Sequence, residues 1–154
     1  MNFTEIISLI GKSEKSDDVR QMLSKFGIEL PLKRPPRGDD DVNFQVKNHP
    51  IELCFAFASD DQIEAGAMEG ELIFDTVFFY PESFVNHEEN KDVLPFGFFI
   101  KMTRLQAREK FGTPQWTSSS ALHNDRWIID KFRVLACFTD DEKSIYQFSI
   151  WLNS

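Results

Sequence analysis

The sequence predicts an α+β fold in which short helices pack on an antiparallel sheet. Short helices are indicated by N-cap residues and terminal glycines around brief apolar patterns, and strands by β-prone runs joined through short polar turns. The order is helix and then three strands, and it occurs twice in 154 residues. We therefore predict one domain, 1–154, with lobes at 1–81 and 94–154 joined by a linker at 82–93. The residue match between the lobes is weak, so an internal duplication and a chance recurrence both stay open.

The second lobe has the clearer pattern. Thr103 is a predicted N-cap whose hydroxyl can accept from the N–H of Gln106, while the Gln106 side chain returns to the cap. Gly112 ends this helix, and Pro114 prevents its continuation. Three strands joined by two hairpin turns are then predicted at 126–129, 132–138 and 144–152. Alternate residues of the last strand are expected to share a buried face: Tyr146, Phe148, Ile150 and Leu152.

The first lobe repeats this order with less regular signals. Apolar residues in the segment 3–10 predict a short helix that Gly11 ends, and Ser16 caps a second helix that Gly27 closes. A proline-rich basic connector then leads into the sheet. Its strands are predicted at 42–46, 51–58 and 71–80. The polar segment 59–68 between the second and third strands is predicted to be a loop.

Composition indicates a protein with a sizeable interior. Hydrophobic residues make up 42% of the chain, 16 residues are Phe, and mean hydropathy is -0.33. No apolar run approaches the ~20 residues needed to span a bilayer, and the N-terminus lacks the basic segment of a signal peptide. Cys54 and Cys137 lie in apolar strand-like runs, where two reduced buried thiols are expected in preference to a disulfide. We therefore predict a cytoplasmic protein.

The formal net charge of -8 is concentrated in the middle of the chain. Residues 38–92 contain fourteen Asp and Glu against two Lys, whereas 1–37 and 94–154 each carry an excess of two basic residues. One interpretation is that loops and edge strands carry charge to prevent aggregation. The other is a negative surface that steers and holds a basic protein partner. Such a surface repels nucleic acid and anionic membranes, so neither is predicted as a partner.

The residue types that commonly carry catalysis form no recognisable motif in this sequence. The three His residues are far apart and fit no metal spacing, and neither Cys has an evident neighbouring base. There is no glycine-rich phosphate loop, and Asp39-Asp40-Asp41 lacks the glycine and terminal glutamate of an EF-hand. We predict a non-enzymatic protein with no cofactor and no metal. An enzyme acting on small molecules would instead need a deep pocket with convergent polar groups.

Three tryptophans are candidates for the core or for an interface. By default each of Trp116, Trp127 and Trp151 would belong to the core, because Trp is large and mostly apolar. Trp116 falls in a predicted loop, however, and Trp151 has the opposite parity from the main apolar face of its strand. These two are therefore predicted to reach the surface and to anchor an interface beside the acidic residues.

Four short stretches of the second lobe occur in a characteristic order. They are Leu94-Pro95-Phe96-Gly97, Met102-Thr103-Arg104 at the helix start, Phe111-Gly112-Thr113-Pro114 at the helix end, and Asp125-Arg126-Trp127 before the terminal hairpin. In this pattern the chain resembles small bacterial immunity proteins encoded beside polymorphic toxins. Its helix-then-meander order is also similar to the modules of small outer-membrane assembly lipoproteins and of the β-lactamase inhibitor protein, which uses two in tandem.

The chain departs from the lipoproteins in having no export signal and no lipid-attachment cysteine near its start. The resemblance to immunity proteins implies a cytoplasmic protein that binds one cognate toxin and blocks it without catalysis. Contact residues are not shared across such families, so the resemblance assigns none.

The sequence thus predicts a non-catalytic immunity protein that neutralises a cognate basic toxin, such as a nuclease, through its acidic segment. The runner-up is a cytoplasmic secretion chaperone, also small, acidic and α+β, which would bind an extended segment of an effector protein along a strand edge and form a homodimer. The predicted partner-binding residues are Asp39, Asp40, Asp41, Asp60, Asp61, Glu64, Glu69, Glu71, Trp116 and Trp151.

Overall fold

The computed structural model of the chain describes residues 2–81 and 93–153. The predicted linker, apart from Val93, lies outside the described residues. Within them the helices are α1 (Phe3–Ser8), α2 (Asp17–Lys25), α3 (Asp60–Glu64) and α4 (Arg104–Phe111), with a 3-10 turn at Pro95–Gly97. The strands are β1 (Asp41–Gln45), β2 (Ile51–Phe57), β3 (Leu72–Phe79), β4 (Trp116–Thr117), β5 (Asn124–Ile129), β6 (Phe132–Phe138) and β7 (Ile145–Leu152). None of these helices has the length and apolar character that crossing a membrane requires.

The prediction of an α+β fold is confirmed. In the described part of the chain seven strands form one antiparallel sheet, in the order β1-β2-β3-β7-β6-β5-β4, accompanied by short helices. The chain divides into two compact units, Met1–Val77 and Phe78–Ser154, which we call unit 1 and unit 2.

In unit 1 the segment between α1 and α2 is hydrogen-bonded to the sheet. The Gly11 N–H donates to the Phe74 carbonyl at 2.7 Å, and the Glu14 N–H donates to the Leu72 carbonyl at 2.8 Å. Ser16 caps α2, as predicted. Apolar side chains of α1, α2, β2, β3 and the segment after α1 are buried in this unit: Ile6, Ile10, Val19, Leu23, Leu53, Phe55, Leu72 and Phe74.

A helix, α3, replaces part of the loop predicted at 59–68, so that prediction was wrong. The Ser59 hydroxyl accepts from the Gln62 N–H at 3.2 Å, and the Gln62 side chain accepts from the Ser59 N–H at 2.8 Å, which completes a capping box. α3 is five residues long and has no buried residue, so hydrophobic periodicity could not reveal it. The sequence does contain the S-x-x-Q pattern of a capping box at Ser59 and Gln62, but the polar composition of the segment 59–68 indicated a loop.

Unit 2 contains the predicted helix and the predicted meander. The capping box of Thr103 and Gln106 is present, and Gly112 ends α4 with a φ of 82°. β5, β6 and β7 pair successively as antiparallel hairpins. A further strand, β4, pairs with the first half of β5. Trp116 therefore lies on a two-residue edge strand and not in a loop.

The predicted face assignment of β7 was wrong at its beginning. Cys137 pairs with Gln147, but the next residue, Phe138, pairs with Ile145, so Tyr146 is an extra residue in a β-bulge. The bulge inverts the alternation of buried and exposed side chains in the part of β7 that precedes it. As a result Ile145 is buried and Tyr146 is 39% exposed, the opposite of the prediction.

An aromatic cluster packs α4 against one face of the meander. Phe98 stacks on Phe111 of α4, with ring centroids 4.1 Å apart, and its centroid lies 4.9 Å from that of Phe148. Trp127 is 1% exposed, and its indole N–H donates to the Gly112 carbonyl at 2.9 Å. The default expectation that Trp127 belongs to the core is confirmed.

Candidate interaction surfaces

Three strand ends of unit 1 meet at one end of its sheet. β1 begins, β2 ends and β3 begins there, because neighbouring strands run antiparallel. The Phe57 N–H donates to the Asp40 carbonyl at 3.0 Å, and the Ala58 N–H donates to the Glu71 carbonyl at 2.8 Å. α3 lies in the connection between β2 and β3 and is therefore at the same end. Segments that are far apart in sequence are thereby brought together.

Seven of the predicted acidic residues are exposed at this end of unit 1, which we call the acidic end. They come from the segment before β1 and the first residue of β1, from α3, and from the loop before β3. None of them forms an ion pair with a described residue. The seven are Asp39, Asp40, Asp41, Asp60, Asp61, Glu64 and Glu69.

α3 presents three of these carboxylates. The capping box at Ser59 fixes the start of the helix, and Asp60 and Asp61 occupy the first turn. There the partial positive charge of the helix N-terminus stabilises acidic side chains. This favourable interaction with the helix N-terminus offsets part of the repulsion between the crowded carboxylates.

Two exposed apolar side chains lie among the carboxylates. Phe57, the last residue of β2, is 37% exposed, and Met68, in the loop before β3, is 64% exposed. The Lys15 ammonium contacts the Met68 sulfur at 3.5 Å, so a basic residue borders the acidic end on that side. Apolar residues with a charged surround are typical of protein interfaces, in which the apolar centre supplies affinity and the charged rim supplies association rate.

Glu71 does not belong to the exposed acidic end, contrary to the prediction. It is 7% exposed, and its carboxylate accepts from the Ser13 hydroxyl at 2.5 Å and from the Met68 N–H at 2.9 Å. These two hydrogen bonds outweigh burial and lower the pKa of Glu71 below its ordinary value of 4.5. Glu71 therefore ties the loop before β3 to the N-terminal segment.

Two carboxylates that the prediction missed, Glu52 and Asp75, act on Cys54 together with Asp41, which was predicted. Asp41 and Glu52 share a face of the β1–β2 pair with Cys54. Burial first, and then the charges of Asp41, Asp75 and Glu52, raise the pKa of Cys54 to about 12. Burial likewise raises the pKa of Cys137 to about 11. Both cysteines are buried free thiols, as predicted, and these raised pKa values favour the protonated thiol at neutral pH.

The sequence did contain a signal for the two missed carboxylates. Glu52 and Asp75 are single acidic residues that interrupt apolar strand runs. What the sequence could not provide is the strand pairing that places them near one cysteine.

In unit 2, Trp116 and Trp151 lie on the sheet face opposite the aromatic cluster. Trp116 is 42% exposed, Trp151 is half-buried, and the Trp116 ring lies 5.6 Å from the Arg126 guanidinium. The acidic end belongs to unit 1, whereas these tryptophans belong to unit 2. We call the surface formed by six side chains of this face the Arg–Trp face: Trp116, Arg126, Ile128, Arg133, Leu135 and Trp151.

Asp125 has no solvent exposure and is held by two arginines of α4. Arg104 and Arg108 each donate two hydrogen bonds to its carboxylate, and the Thr117 hydroxyl donates another at 2.8 Å. Burial alone would raise the pKa of Asp125, but the hydrogen bonds from Arg108, Arg104 and Thr117 hold it well below its ordinary value. Since its acceptors are occupied within the chain, Asp125 fixes α4 to β4 and β5 and does not face a substrate.

A groove of about 440 Å³ lies between α1 and α2 of unit 1. Its walls carry both charges, with Lys12 paired to Asp18 at 2.9 Å and with Glu5 and Lys25 nearby. Within residues 2–81 and 93–153 no three His, Cys, Asp or Glu side chains are grouped as a metal site. The groove has the volume of a small-molecule site, but its lining carries balanced charges, two of which form an ion pair with each other.

No family model and no curated protein matches the chain. Among solved structures, the crystal structure of a DUF4309 family protein, YjgB, from Bacillus subtilis is similar. Its TM-score is 0.46 and its sequence identity 7%, over 87% of this chain and 77% of that one. Similarity of this size assigns neither a family nor a function, so function must be inferred from the surfaces described above.

Proposed function

We propose that the chain is a non-catalytic immunity protein that binds a cognate basic bacterial toxin and neutralises it in the cytoplasm. The observation that carries this proposal is the convergence of seven exposed carboxylates on the acidic end. Such a surface attracts basic proteins and repels nucleic acid. A nuclease is the toxin class that fits best, because its substrate cleft must be positive to hold a phosphate backbone.

Inhibition of this kind requires no chemistry from the inhibitor. The carboxylates of the acidic end would occupy sites that otherwise hold phosphates, while Phe57 and Met68 would pack against apolar parts of the toxin surface. The electrostatic screening length is about 8 Å at physiological salt. The local crowding of carboxylates, more than the net charge of the whole chain, would therefore set the association rate.

The test is rescue of growth in cells that co-express the chain with the product of the adjacent gene. The variant D40K/E64K/E69K reverses one carboxylate from each of three segments and spares the first turn of α3, where lysine would oppose the helix dipole. We expect rescue to be lost. Association of the purified proteins should slow by at least about tenfold and lose its dependence on salt.

The matched control is E29K/E109K/D140K. It also changes three exposed residues from -1 to +1, a total change of +6, but at positions outside the acidic end. It should keep both rescue and association rate. Equal losses of rescue in the two variants would show that net charge, and not the position of the carboxylates, causes the effect. Full binding of the toxin by D40K/E64K/E69K would contradict the proposed surface.

A secretion chaperone is the second candidate, and a different observation favours it. β1 lies at an edge of the sheet formed by the described strands, so its outer backbone groups can pair with an extended segment. An adjacent effector gene would favour this function if a peptide from the effector's N-terminal region protected the β1 amides from hydrogen exchange. An adjacent toxin domain whose binding leaves β1 exchange unchanged would favour immunity.

A further inference from the structure

The Arg–Trp face, which belongs to unit 2, has the composition of an interface core, and the acidic end belongs to unit 1. In the strand register each of its two arginines sits between a tryptophan on one neighbouring strand and an aliphatic residue on the other. Trp and Arg are the residues most enriched at interface hot spots, where apolar neighbours exclude water from the charged contacts. The two rows are Trp116–Arg126–Leu135 and Ile128–Arg133–Trp151.

The same face is positively charged, and none of the carboxylates of β4 to β7 lies on it. Arg126 and Arg133 are the two charged residues that the register of β4 to β7 places on it, and neither forms an ion pair with a described residue. Asn124 Oδ1 and Arg126 Nε are also buried without a hydrogen-bond partner in the described part of the chain. A carboxylate is the acceptor that matches a guanidinium best, because the hydrogen bond is charge-assisted.

We propose that the Arg–Trp face of one copy docks on the acidic end of a second copy of this chain. The acidic end supplies carboxylates for Arg126 and Arg133, and its exposed Phe57 and Met68 supply apolar contacts for the tryptophans. Every copy carries both surfaces, one in each unit, so association proceeds without another component. The inference rests on these two surfaces and is independent of the immunity proposal.

A single-stranded nucleic acid could also stack on exposed tryptophans, but it fits the chain less well. The face provides two cations, whereas binding to a phosphate backbone gains its affinity from many. Elsewhere on the same molecule seven exposed carboxylates repel phosphate. A contact between two copies instead brings the Arg–Trp face of one copy against the acidic end of the other, so that the opposite charges attract.

Two charge pairs and a few apolar contacts support only weak association, with a dissociation constant on the order of 0.1 mM. Self-association and a basic partner would then compete for the acidic end. A partner that binds the acidic end should dissociate the self-associated protein into monomers. Self-association therefore also regulates access to the acidic end.

The experiment is sedimentation equilibrium of the purified chain, up to about 1 mM protein, at about 0.02 M and about 0.5 M salt. We expect the average mass to rise with protein concentration at low salt and to return to the monomer value at high salt. The variant R126E/R133E and the variant D40K/E64K/E69K should each weaken association by at least about tenfold. The matched control K101E/K143E, which reverses two exposed lysines outside the face, should associate like the original chain.

Mixing the two defective variants is the decisive arm. Each retains the surface that the other has lost, so an equimolar mixture should associate although neither variant does so alone. Circular dichroism and thermal unfolding of each variant verify that it is folded. The proposal is overturned by a monomer at every low-salt concentration, by unchanged association of R126E/R133E, or by a mixture that stays monomeric. It is also overturned if the monomer binds a single-stranded oligonucleotide and R126E/R133E does not.

Discussion

The acidic residues of this chain divide into those that bind within the chain and those that face outwards. Asp125 and Glu71 are buried, accept several hydrogen bonds, and have lowered pKa values. Asp40 and Glu69 are exposed and form no ion pair with a described residue. Only the outward group is available to a partner, and residue type alone does not separate the two.

Substitution of Asp125 by Asn should destabilise the fold by about 3–5 kcal/mol, because it leaves two guanidinium groups against an uncharged amide. The measurement is urea unfolding at neutral pH. The exposed Asp140→Asn is the control and should change the free energy of unfolding by less than about 0.5 kcal/mol.

The same variant should also alter the pH dependence of stability. The folded pKa of Asp125 lies below its ordinary value of 3.8, so the stabilisation is complete above that value and is lost as pH falls towards the folded pKa. The original chain should therefore lose stability below about pH 4 more steeply than D125N does. Parallel stability curves for the two proteins would contradict the role assigned to Asp125.

At the scale of elements, α3 and α4 share a start signal and differ in what holds them. Both begin with a complete capping box, at Ser59 and at Thr103. α4 is also fixed through Arg104 and Arg108, whereas α3 buries no side chain. The cap is therefore a larger share of the stability of α3, and α3 carries three carboxylates of the acidic end.

Ser59→Ala should loosen α3 locally. Loss of an N-cap costs about 1 kcal/mol, which corresponds to about fivefold faster hydrogen exchange of amides bonded within the helix. The Ile63 N–H, which donates to the Ser59 carbonyl at 2.9 Å, reports this directly. Thr103→Ala is the matched variant and should instead lower the global free energy of unfolding. Unchanged exchange at Ile63 would contradict the importance of the cap.

At the scale of the whole molecule, the arrangement of charge matters separately from its total. The formal charge is -8 and the isoelectric point is about 4.9, but seven exposed carboxylates are gathered on the acidic end. The Arg–Trp face carries two arginines that form no ion pair with a described residue. Net charge governs colloidal solubility, whereas local charge governs specific docking.

The two triple lysine variants separate these effects. Both D40K/E64K/E69K and E29K/E109K/D140K bring the formal charge from -8 to -2, so the pH of minimum solubility should rise from near 4.9 by the same amount in both. Turbidity against pH at low salt measures this. Minima at clearly different pH values would mean that position also controls bulk solubility.

Local sequence patterns were sufficient to predict the features that depend on neighbouring residues. The capped helix at Thr103, the strands β5 and β6 with the tight turn between them, and the concentration of acidic residues in the middle of the chain were all readable locally. The α+β class followed from the order of these elements. The sequence also contains the N-cap of the missed helix α3, at Ser59, but no apolar periodicity follows it that would have indicated a helix.

The tertiary structure alone decided which side chains meet. The antiparallel order of β1, β2 and β3 gathers three acidic segments at one end, and the Ser13 hydrogen bond turns Glu71 inwards. The bulge at Tyr146 inverts one strand face, and the register of β4 to β7 aligns Trp116 with Arg126 and Trp151 with Arg133. Pairing and register are contacts between residues distant in sequence, so no local pattern specifies them.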